Sequence, residues 1–342
     1  MKKNYFMLAL ATMMMAACVN NDLVDEGVVK EEVPQAIEFE PFANKGTRAA
    51  INNVSDLETA KFQVWGYKAA TATPMVWTNQ YPVFENVTVS KSGDVWKPAV
   101  TKYWDRTSTY KFYAVAPAAK SAFYTIAPAT GMISITGAES AISTASMDYL
   151  IDRDGCTGVD GAYTGTDHAA VDFTFHHIMS KVSFELKAAV AENIVVTRLV
   201  MTGWNSGNGN FVQSLTTTPT SADHISEWNI PSAGTGNVTL VGSGATDATI
   251  ELLSDKSEKP VQDMYIMVPQ TIAANTLTFT IDFKIGTEVF TAQVGKLTLA
   301  QTWGTDTHTT YTISVGPDVI DFTVSNVCGW DAGTLTPGVE IE

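Results

Sequence analysis

The sequence predicts an all-β protein, and three observations carry that prediction. Apolar and polar residues alternate in many short runs, for example over residues 62–67 and 182–186, and a period of two is typical of half-buried strands. Clusters of Gly, Asn, Pro, Ser and Thr separate these runs at intervals of roughly 8–12 residues, as in sandwiches and barrels. Helical periodicity is weak, with one turn at residues 56–61 and a short helix or loop at residues 137–150.

The same alternation predicts strands from residue 37 to near the end of the chain. The predicted strands are residues 37–42, 62–67, 83–89, 110–115, 171–175, 182–186, 194–201, 237–241, 248–253, 264–268, 276–283, 289–294, 309–315 and 320–324.

The N-terminus predicts export. Two lysines follow Met1, and residues 5–17 form an apolar run broken only by Thr12. This run is shorter than the roughly 20 apolar residues of a membrane-spanning helix and is typical of a signal peptide. It ends in two alanines before Cys18, which resembles a lipobox. We therefore predict that residues 1–17 are a lipoprotein signal peptide and that lipidated Cys18 anchors the protein in the outer membrane, at the cell surface.

A linker and a first strand follow the cysteine, so that residues 18–48 precede the predicted domains. The linker, residues 19–35, is polar and acidic. In the first strand the apolar side chains are Ile37, Phe39 and Phe42, at the loose alternation of a half-buried strand.

The segment after this strand is small and polar and contains the bond between Arg48 and Ala49. Such a segment should be exposed and accessible to a protease. Arg48 is the only arginine between Cys18 and the first predicted domain.

Two domains are predicted, because single hydrophobic cores rarely grow beyond roughly 250–300 residues. We place the boundary between the strands at 171–175 and 182–186. The N-terminal domain then covers residues 49–178 and the C-terminal domain covers residues 179–342.

Composition limits the classes of partner. The formal net charge is −15, and an acidic chain with scattered lysines is unsuited to nucleic acid, since phosphate contacts need clustered Lys and Arg. Beyond Cys18 the chain has Cys156 and Cys328. Their spacing leaves open whether they form a disulfide, and it matches no zinc motif.

Catalytic and metal motifs are weak, and we predict no cofactor, no metal and no enzyme activity. His176 and His177 are adjacent, so on a strand they point to opposite faces, and packing or capping is the favoured role. Residues 152–155 and Asp160 have the acidic character of a calcium loop but lack the closing Glu of an EF-hand. Residues 242–244, a Gly-Ser-Gly turn, lack the lysine and helix of a phosphate loop.

The sequence allows two interpretations of three tryptophan side chains. Trp204, Trp228 and Trp303 lie near predicted loops, where exposed rings could stack on sugars. A core position is the more frequent role of Trp in a sandwich.

Motifs spread along the chain resemble the fimbrillin (Mfa-like) family, which supplies pilins and tip adhesins of type V pili. The resemblance rests on four segments. The first is VWKP at 95–98 with YW at 103–104 and YKFYAVAP at 110–117, and the second is FTFHHIMSKV at 173–182. The third is MYIMVPQ at 264–270, and the fourth is WG at 303–304 with YTI at 311–313, IDF at 320–322 and Trp330.

The resemblance implies two transthyretin-like β-sandwich domains and an assembly route. In that route an arginine-specific protease cuts the Arg48–Ala49 bond and the strand at residues 37–42 leaves. A strand of another pilin subunit then fills the groove. The matching donor is residues 320–327, or else the tail that contains Val339 and Ile341.

The apolar residues of the first donor segment share the strand spacing. They are Ile320, Phe322, Val324 and Val327. Host or bacterial surface ligands are further partners that the resemblance implies, while stalk, tip and anchor roles stay open.

Two alternatives from other classes remain at this stage. One is a monomeric surface lipoprotein that binds glycans or host ligands without polymerising. The other is a glycosidase-type enzyme, which would need two carboxylates about 5–10 Å apart in a cleft.

Overall fold

The chain folds mainly into β-strands, which confirms the all-β prediction. The computed structural model describes residues 34–43, 54–70, 81–105, 107–127, 132–142, 148–152, 163–164, 170–213, 226–318 and 320–329. Within these ranges one α-helix, α1 (Val54–Ala60), lies close to the predicted turn, and a 3-10 helix covers Ala118–Phe123. In the same ranges no helix is long and apolar enough to cross a membrane.

In the described part of the chain before residue 178 there are eleven strands. They are β1 (Phe39–Ala43), β2 (Phe62–Ala70), β3 (Tyr81–Ser92), β4 (Val95–Pro98), β5 (Ser108–Ala116), β6 (Tyr124–Ala127), β7 (Met132–Ala138), β8 (Ala141–Ile142), β9 (Leu150–Asp152), β10 (Tyr163–Thr164) and β11 (Val171–His177).

Further strands follow in the C-terminal half. They are β12 (Ser180–Ala188), β13 (Ile194–Asn205), β14 (Gly209–Val212), β15 (Trp228–Asn229), β16 (Thr235–Val241), β17 (Ile250–Leu252), β18 (Lys259–Pro260), β19 (Tyr265–Met267), β20 (Gln270–Ile272), β21 (Thr278–Ile285), β22 (Glu288–Lys296), β23 (Gln301–Trp303), β24 (Thr307–Val315) and β25 (Ile320–Gly329).

The sheet of the N-terminal half closes on itself. Its strand order is β10-β5-β2-β3-β4-β1-β11-β9, and β9 also pairs with β5. The enclosed core is rich in aromatic residues, including Phe62, Phe84, Phe112 and Phe173. This sheet contains the first strand of the described chain, β1, between two strands that come later in the sequence.

Two sheets of the C-terminal half share a second core. One has the order β25-β24-β12-β19-β8 with β18 on β12, and the other has the order β16-β13-β21-β22 with β17 on β13. Phe184 from β12 and Tyr311 from β24 pack in the same cluster as Leu199 from β13 and Ile281 from β21. Because one core takes side chains from both sheets, the arrangement is a sandwich.

A third core takes residues from both halves of the chain. It includes Tyr113 and Ile135 from the N-terminal half, Met179, and Phe211 and Trp228 from the C-terminal half. The small sheet β15-β14-β7-β6 also combines strands of the two halves. The predicted division into domains at residue 178 stays a prediction.

One local prediction is wrong in part. Residues 137–150 are predicted to form a short helix or loop, and residues 139–140 and 148–149 are loop, but Ala141 and Ile142 form β8 and pair with Ile266 and Tyr265. A two-residue strand is too short to show a period of two, so its partner strand, and not its own sequence, decides its conformation.

Candidate functional site

The candidate site is the position that β1 occupies in the closed sheet, which we call the β1 slot. On one side, Phe39 to Ala43 pair in parallel with Val171 to Phe175 of β11. On the other side, β1 pairs with β4 at Phe39 and Trp96. Removing β1 would therefore leave two strand edges with unpaired backbone groups, and such edges can accept another strand.

The residues before β1 extend the slot. Ala36 forms an antiparallel bridge with Tyr103. The amide of Ile37 donates to the Lys102 carbonyl at 2.9 Å, and the amide of Trp104 donates to the Gln35 carbonyl at 3.0 Å. The occupant of the slot is thus the whole segment from residue 35 to residue 43.

Side chains of this segment alternate between core and solvent. Ile37, Phe39 and Pro41 are buried, whereas Glu38 is half-buried and Glu40 is exposed. Burying a side chain such as Ile or Phe contributes roughly 1.5–3 kcal/mol. The predicted alternation over residues 37–42 is confirmed at the described side chains.

Phe39 lies at the centre of an aromatic cluster and is 2% exposed. Its ring stacks on Phe173 at a centroid distance of 5.4 Å. It meets Phe84 edge-on at 5.7 Å and Phe112 edge-on at 5.8 Å. Aromatic pairs in these geometries contribute about 0.5–1.5 kcal/mol each beyond burial, so Phe39 is the main anchor of β1.

Gly66 of β2 makes room for this cluster. An added Cβ atom at Gly66 would lie 2.8 Å from the Phe112 ring and 2.9 Å from the Phe84 ring. The two rings therefore occupy the space that a side chain at residue 66 would need, and they reach Phe39 from the β2 side of the sheet.

Asp105 fixes the chain just beyond Tyr103. Its carboxylate accepts hydrogen bonds from Thr107, from Lys68 at 3.0 Å and from Ser108 at 3.0 Å. These hydrogen bonds, led by that of the Thr107 hydroxyl, hold the pKa of Asp105 well below its usual range. The wall of the slot at residues 102–104 is thereby held next to β2.

The predicted donor segment lies in β25, at the edge of the six-stranded sheet. Residues 320–329 pair antiparallel with β24 along its length, from Val315 back to Thr307. Ile320 and Val324 are partly buried against the C-terminal core. The backbones of Phe322 and Val327 belong to β25, while their side chains lie outside the described parts.

Other predicted site residues fall outside the described ranges. They are Cys18, Arg48, Ala49, Cys156, residues 153–160 of the suggested calcium loop, and the tail after Gly329, and the side chains of Phe42 and Cys328 also lie outside. Their predicted roles stay predictions.

The two adjacent histidines differ in environment, as opposite faces of a strand predict. His177 is buried, and its Nδ1 lies 2.8 Å from Oδ1 of buried Asp148, whereas His176 is half-buried. A packing role is thus confirmed for His177. Among the described residues no group of three His, Cys, Asp or Glu side chains is placed to hold a metal ion.

Another histidine, His308, lies within hydrogen-bond distance of a serine on the C-terminal sheet. His308 Nε2 is 2.8 Å from Ser183 Oγ, and that hydroxyl is also 3.0 Å from Thr310 Oγ1. Burial, with a smaller effect of Lys181, lowers the pKa of His308 to about 4. The imidazole is therefore neutral at pH 7 and forms part of a polar ladder along β12 and β24.

The three tryptophans are buried, which favours the core reading over sugar stacking. Trp228 donates from Nε1 to the Ile178 carbonyl at 3.0 Å. Trp303 donates from Nε1 to the Tyr311 hydroxyl at 2.9 Å. Trp204 is 7% exposed.

Trp204 also lines a cavity of about 360 Å³, whose other lining residues come mostly from the C-terminal half. Apolar side chains and uncharged polar side chains line it together. Its lining residues are Ser140, Trp204, Ser206, Thr235, Asn237, Val238, Tyr265 and Met267.

Sequence patterns alone did not identify the residues that hold β1. In the sequence, Trp96, Tyr103 and Trp104 stand out only as parts of the family motif. In the fold the first two pair with the occupant of the slot and the third forms a hydrogen bond with it. Their signal in the sequence is a loose spacing, with Trp96 seven residues before the adjacent Tyr103 and Trp104. The partnership of β1 with β11 has no local signal, because more than a hundred residues separate the two strands.

Comparison with known proteins identifies a matching family and solved structures with a similar fold. A family model described as fimbrillin-like matches residues 47–330, and no curated relative matches the chain. A solved fimbrial protein from Bacteroides vulgatus has a TM-score of 0.62 and 17% identity, covering 86% of this chain and 99% of its own. That likeness shows a shared fold.

Two further solved structures are more distant. A candidate cell adhesion protein from Bacteroides ovatus has a TM-score of 0.44 and 14% identity, covering 87% of this chain and 99% of its own. The tip fimbrial protein Mfa3 from Porphyromonas gingivalis has a TM-score of 0.35 and 11% identity, covering 86% and 100%. The family match itself extends over most of the sequence, and on that ground the chain belongs to the fimbrillin-like family.

Proposed function

We propose that this chain is a structural and adhesive subunit of a bacterial surface pilus, assembled by protease-triggered strand exchange. The observation that carries the proposal is the position of β1. It is the first strand of the described chain, yet it lies inside the sheet between β4 and β11, with Phe39 in the aromatic core. Its loss would open a groove that is lined by backbone donors and acceptors and floored by aromatic rings.

Cleavage at Arg48–Ala49 is the proposed trigger. The bond lies between the end of β1 at Ala43 and the start of α1 at Val54. Before the cut, the tether keeps β1 at a high effective concentration next to its slot, so a competing strand is excluded. After the cut, β1 can diffuse away. The family match begins at residue 47 and leaves β1 outside it, which supports a removable strand.

The incoming strand is proposed to come from the C-terminal region of another subunit. An added strand gains main-chain hydrogen bonds, and its alternate side chains fill the pockets. β25 and the tail after Gly329 are the two candidates. Donation by β25 requires its release from β24, whereas donation by the tail leaves β25 in place.

Before the cut, we propose that lipid on Cys18 holds the precursor in the outer membrane at the cell surface. The cut would separate the subunit from that anchor. The proposed partners are then other pilin subunits, an arginine-specific protease, and host or bacterial surface ligands, and the proposed role is not catalytic.

The test is limited digestion of the purified chain beginning after Cys18 with an arginine-specific protease. Mass spectrometry then locates the cut, and a denaturant-resistant ladder on a gel reports polymers. The matched control is Arg48→Ala, which keeps every other arginine. Arg198 is a useful internal reference, because it lies within β13 and should resist cleavage.

We expect a single cut after Arg48 and ladders only in the wild-type chain. A cut without ladders would limit the protein to a terminal subunit or one that needs a partner. An uncut Arg48 bond, or ladders from Arg48→Ala, would overturn the maturation model.

The cavity beside Trp204 favours one second candidate, a monomeric surface lipoprotein that binds neutral glycans. Its walls combine apolar side chains with the hydroxyls of Ser206 and Thr235 and the amide of Asn237. Binding of a sugar by a chain that stays monomeric after cleavage would favour this candidate over the pilus subunit.

A further inference from the structure

We infer that the cavity beside Trp204 binds one neutral sugar ring at the end of a glycan chain. The inference deepens the adhesive part of the proposed function, and its biological meaning rests on that function. Binding itself does not depend on strand exchange, because no lining residue of the cavity belongs to β1, β4 or β11. We therefore expect the same site before and after a cut at Arg48.

The cavity lies between the two sheets of the C-terminal sandwich, at one edge. Trp204 in β13 and Val238 in β16 line it from one sheet, and Tyr265 and Met267 in β19 line it from the other. β16 is the outermost strand of its sheet, and β8, next to β19, is the outermost strand of the other sheet. The site is thus built from the margins of two sheets.

The lining extends from the surface into the core. Ser206, Thr235 and Asn237 are exposed, whereas Trp204 and Tyr265 are buried. A ligand therefore meets hydroxyl and amide groups together with aromatic rings. The volume of about 360 Å³ lies at the small end of the range for small-molecule sites, roughly 300–1,000 Å³, which favours a single terminal ring over a long oligosaccharide.

Asn205 holds the surface part of the cavity in place. Its amide donates to Gln270 Oε1 at 2.8 Å, and Gln270 Nε2 donates back to the Asn205 carbonyl at 3.1 Å. Asn205 Oδ1 accepts from the amides of Gly207 and Gly234, both at 3.0 Å. These hydrogen bonds tie the turn that carries Ser206 to the start of β16. Because the wall is already ordered, little conformational freedom is lost when a ligand binds.

The indole of Trp204 is fixed against β16 and carries an unused donor. An added Cβ atom at Gly236 would lie 2.0 Å from Cε2 of the ring, so the β16 backbone packs directly on the indole. The indole Nε1 is buried and has no hydrogen-bond partner within the described chain. An unpaired buried donor is unfavourable. An oxygen of the bound sugar is the partner that Nε1 lacks.

The chemistry of the lining selects a neutral sugar. A sugar ring combines C–H faces, which pack on apolar side chains, with hydroxyls that donate and accept hydrogen bonds, and the lining offers both kinds of contact. None of the described residues that line the cavity carries a charge. A carboxylate or sulfate placed there would lose hydration without gaining a partner. The formal net charge of −15 adds repulsion of anionic sugars.

A neutral terminal ring of this kind has two sources. It occurs at the end of a host glycan and at the end of a microbial polysaccharide. The lining recognises the ring in the same way in both cases, so the experiment has one arm for each source.

The test is saturation-transfer NMR on the purified chain beginning after Cys18, uncut and after treatment with the arginine-specific protease. The probes are free galactose, glucose, mannose and N-acetylglucosamine, with N-acetylneuraminic acid and galacturonic acid as charged controls. The variant T235V/N237A removes two exposed polar groups from the lining. The matched control T291V/Q293A makes the same kinds of change in β22, at the opposite edge of that sheet.

We expect at least one neutral sugar to bind with a dissociation constant of about 1 mM, because a single ring makes few contacts. The uncut and cut chains should bind it equally. T235V/N237A should weaken binding at least about tenfold, and T291V/Q293A should leave it unchanged. Neither acidic sugar should bind.

Trp204→Phe tests the indole N–H separately. It keeps an aromatic ring and removes the donor, so we expect binding about tenfold weaker, with circular dichroism confirming the fold. Because Trp204 is buried, this substitution also affects packing. If the variant does not fold, T235V/N237A decides the question, since both of its positions are exposed.

Immobilised glycans separate the two sources. One surface carries neutral host N-glycans ending in galactose, N-acetylglucosamine or mannose, and the other carries yeast mannan and dextran. Retention of the chain by the first surface identifies a host glycan, and retention by the second identifies a microbial polysaccharide. Retention by neither surface would overturn the assignment to a glycan end.

Three NMR results would also overturn the inference. They are no binding of any neutral sugar at about 20 mM, equal binding by T235V/N237A and the wild-type chain, and equal binding of the acidic sugars. The ladder gel keeps this outcome apart from the proposed function. Ladders without sugar binding leave strand exchange intact, whereas sugar binding without ladders leaves the site intact and removes the support for assembly.

Discussion

Replacing Phe39 with alanine measures how firmly the core holds β1. The ring is 2% exposed and contacts Phe173, Phe84 and Phe112 at centroid distances of 5.4 to 5.8 Å. Truncating a buried Phe to Ala costs about 3–5 kcal/mol, because transfer energy is lost and a cavity remains. We expect F39A to lower the free energy of β1 release by that amount.

Hydrogen exchange at the Val171 amide provides the assay, because this amide donates to the Glu38 carbonyl at 2.8 Å. Release of the segment before β1 exposes it to water. A loss of 3–5 kcal/mol corresponds to exchange about 150- to 4000-fold faster. Urea unfolding followed by tryptophan fluorescence gives the global free energy of unfolding in parallel.

Phe283→Ala is the matched control. Phe283 is fully buried in the C-terminal core and stacks on Phe290 at 4.7 Å. It should lower global stability by a similar amount and leave local exchange at Val171 unchanged. If F39A and F283A accelerate Val171 equally, β1 does not open separately and the reasoning from the slot is wrong.

Two further predictions concern stability. Gly66→Ala should lower the free energy of unfolding by about 1–3 kcal/mol in urea titrations, because its Cβ would lie 2.8 Å from the Phe112 ring and overpacking forces shifts; an unchanged midpoint would contradict this. For His308, burial lowers the pKa from 6.5 to about 4, so below pH 6.5 the unfolded chain binds a proton that the folded chain does not. Stability should therefore fall from pH 7 to pH 4 by up to about 3 kcal/mol, and His308→Gln should remove that part of the slope in urea titrations at both pH values.

Local sequence determined the strands with clear alternation and the face that each one buries. In β12, Val182, Phe184 and Leu186 are buried while Ser183 and Glu185 are half-exposed, as a period of two predicts. The same signal identified Ile37 and Phe39 as inward-facing. Within one strand, the choice of face depends only on residues two positions apart, so a single sequence contains it.

Very short strands were not predictable in this way. Ala141 and Ile142 become strand residues because β19 supplies hydrogen-bond partners. The 3-10 helix at Ala118–Phe123 likewise has no buried residue that would create a periodic pattern.

Tertiary structure alone decided what makes β1 a candidate functional site. The sequence places Phe39 in a strand, but it does not show that β4 and β11 flank that strand or that Phe173 stacks on its ring. It also does not show that Glu40 lies opposite Asp172. Pairing between strands is set by the packing of the whole core and by closure of the sheet, which are non-local, whereas alternation and turn residues are local and can be read directly from the chain.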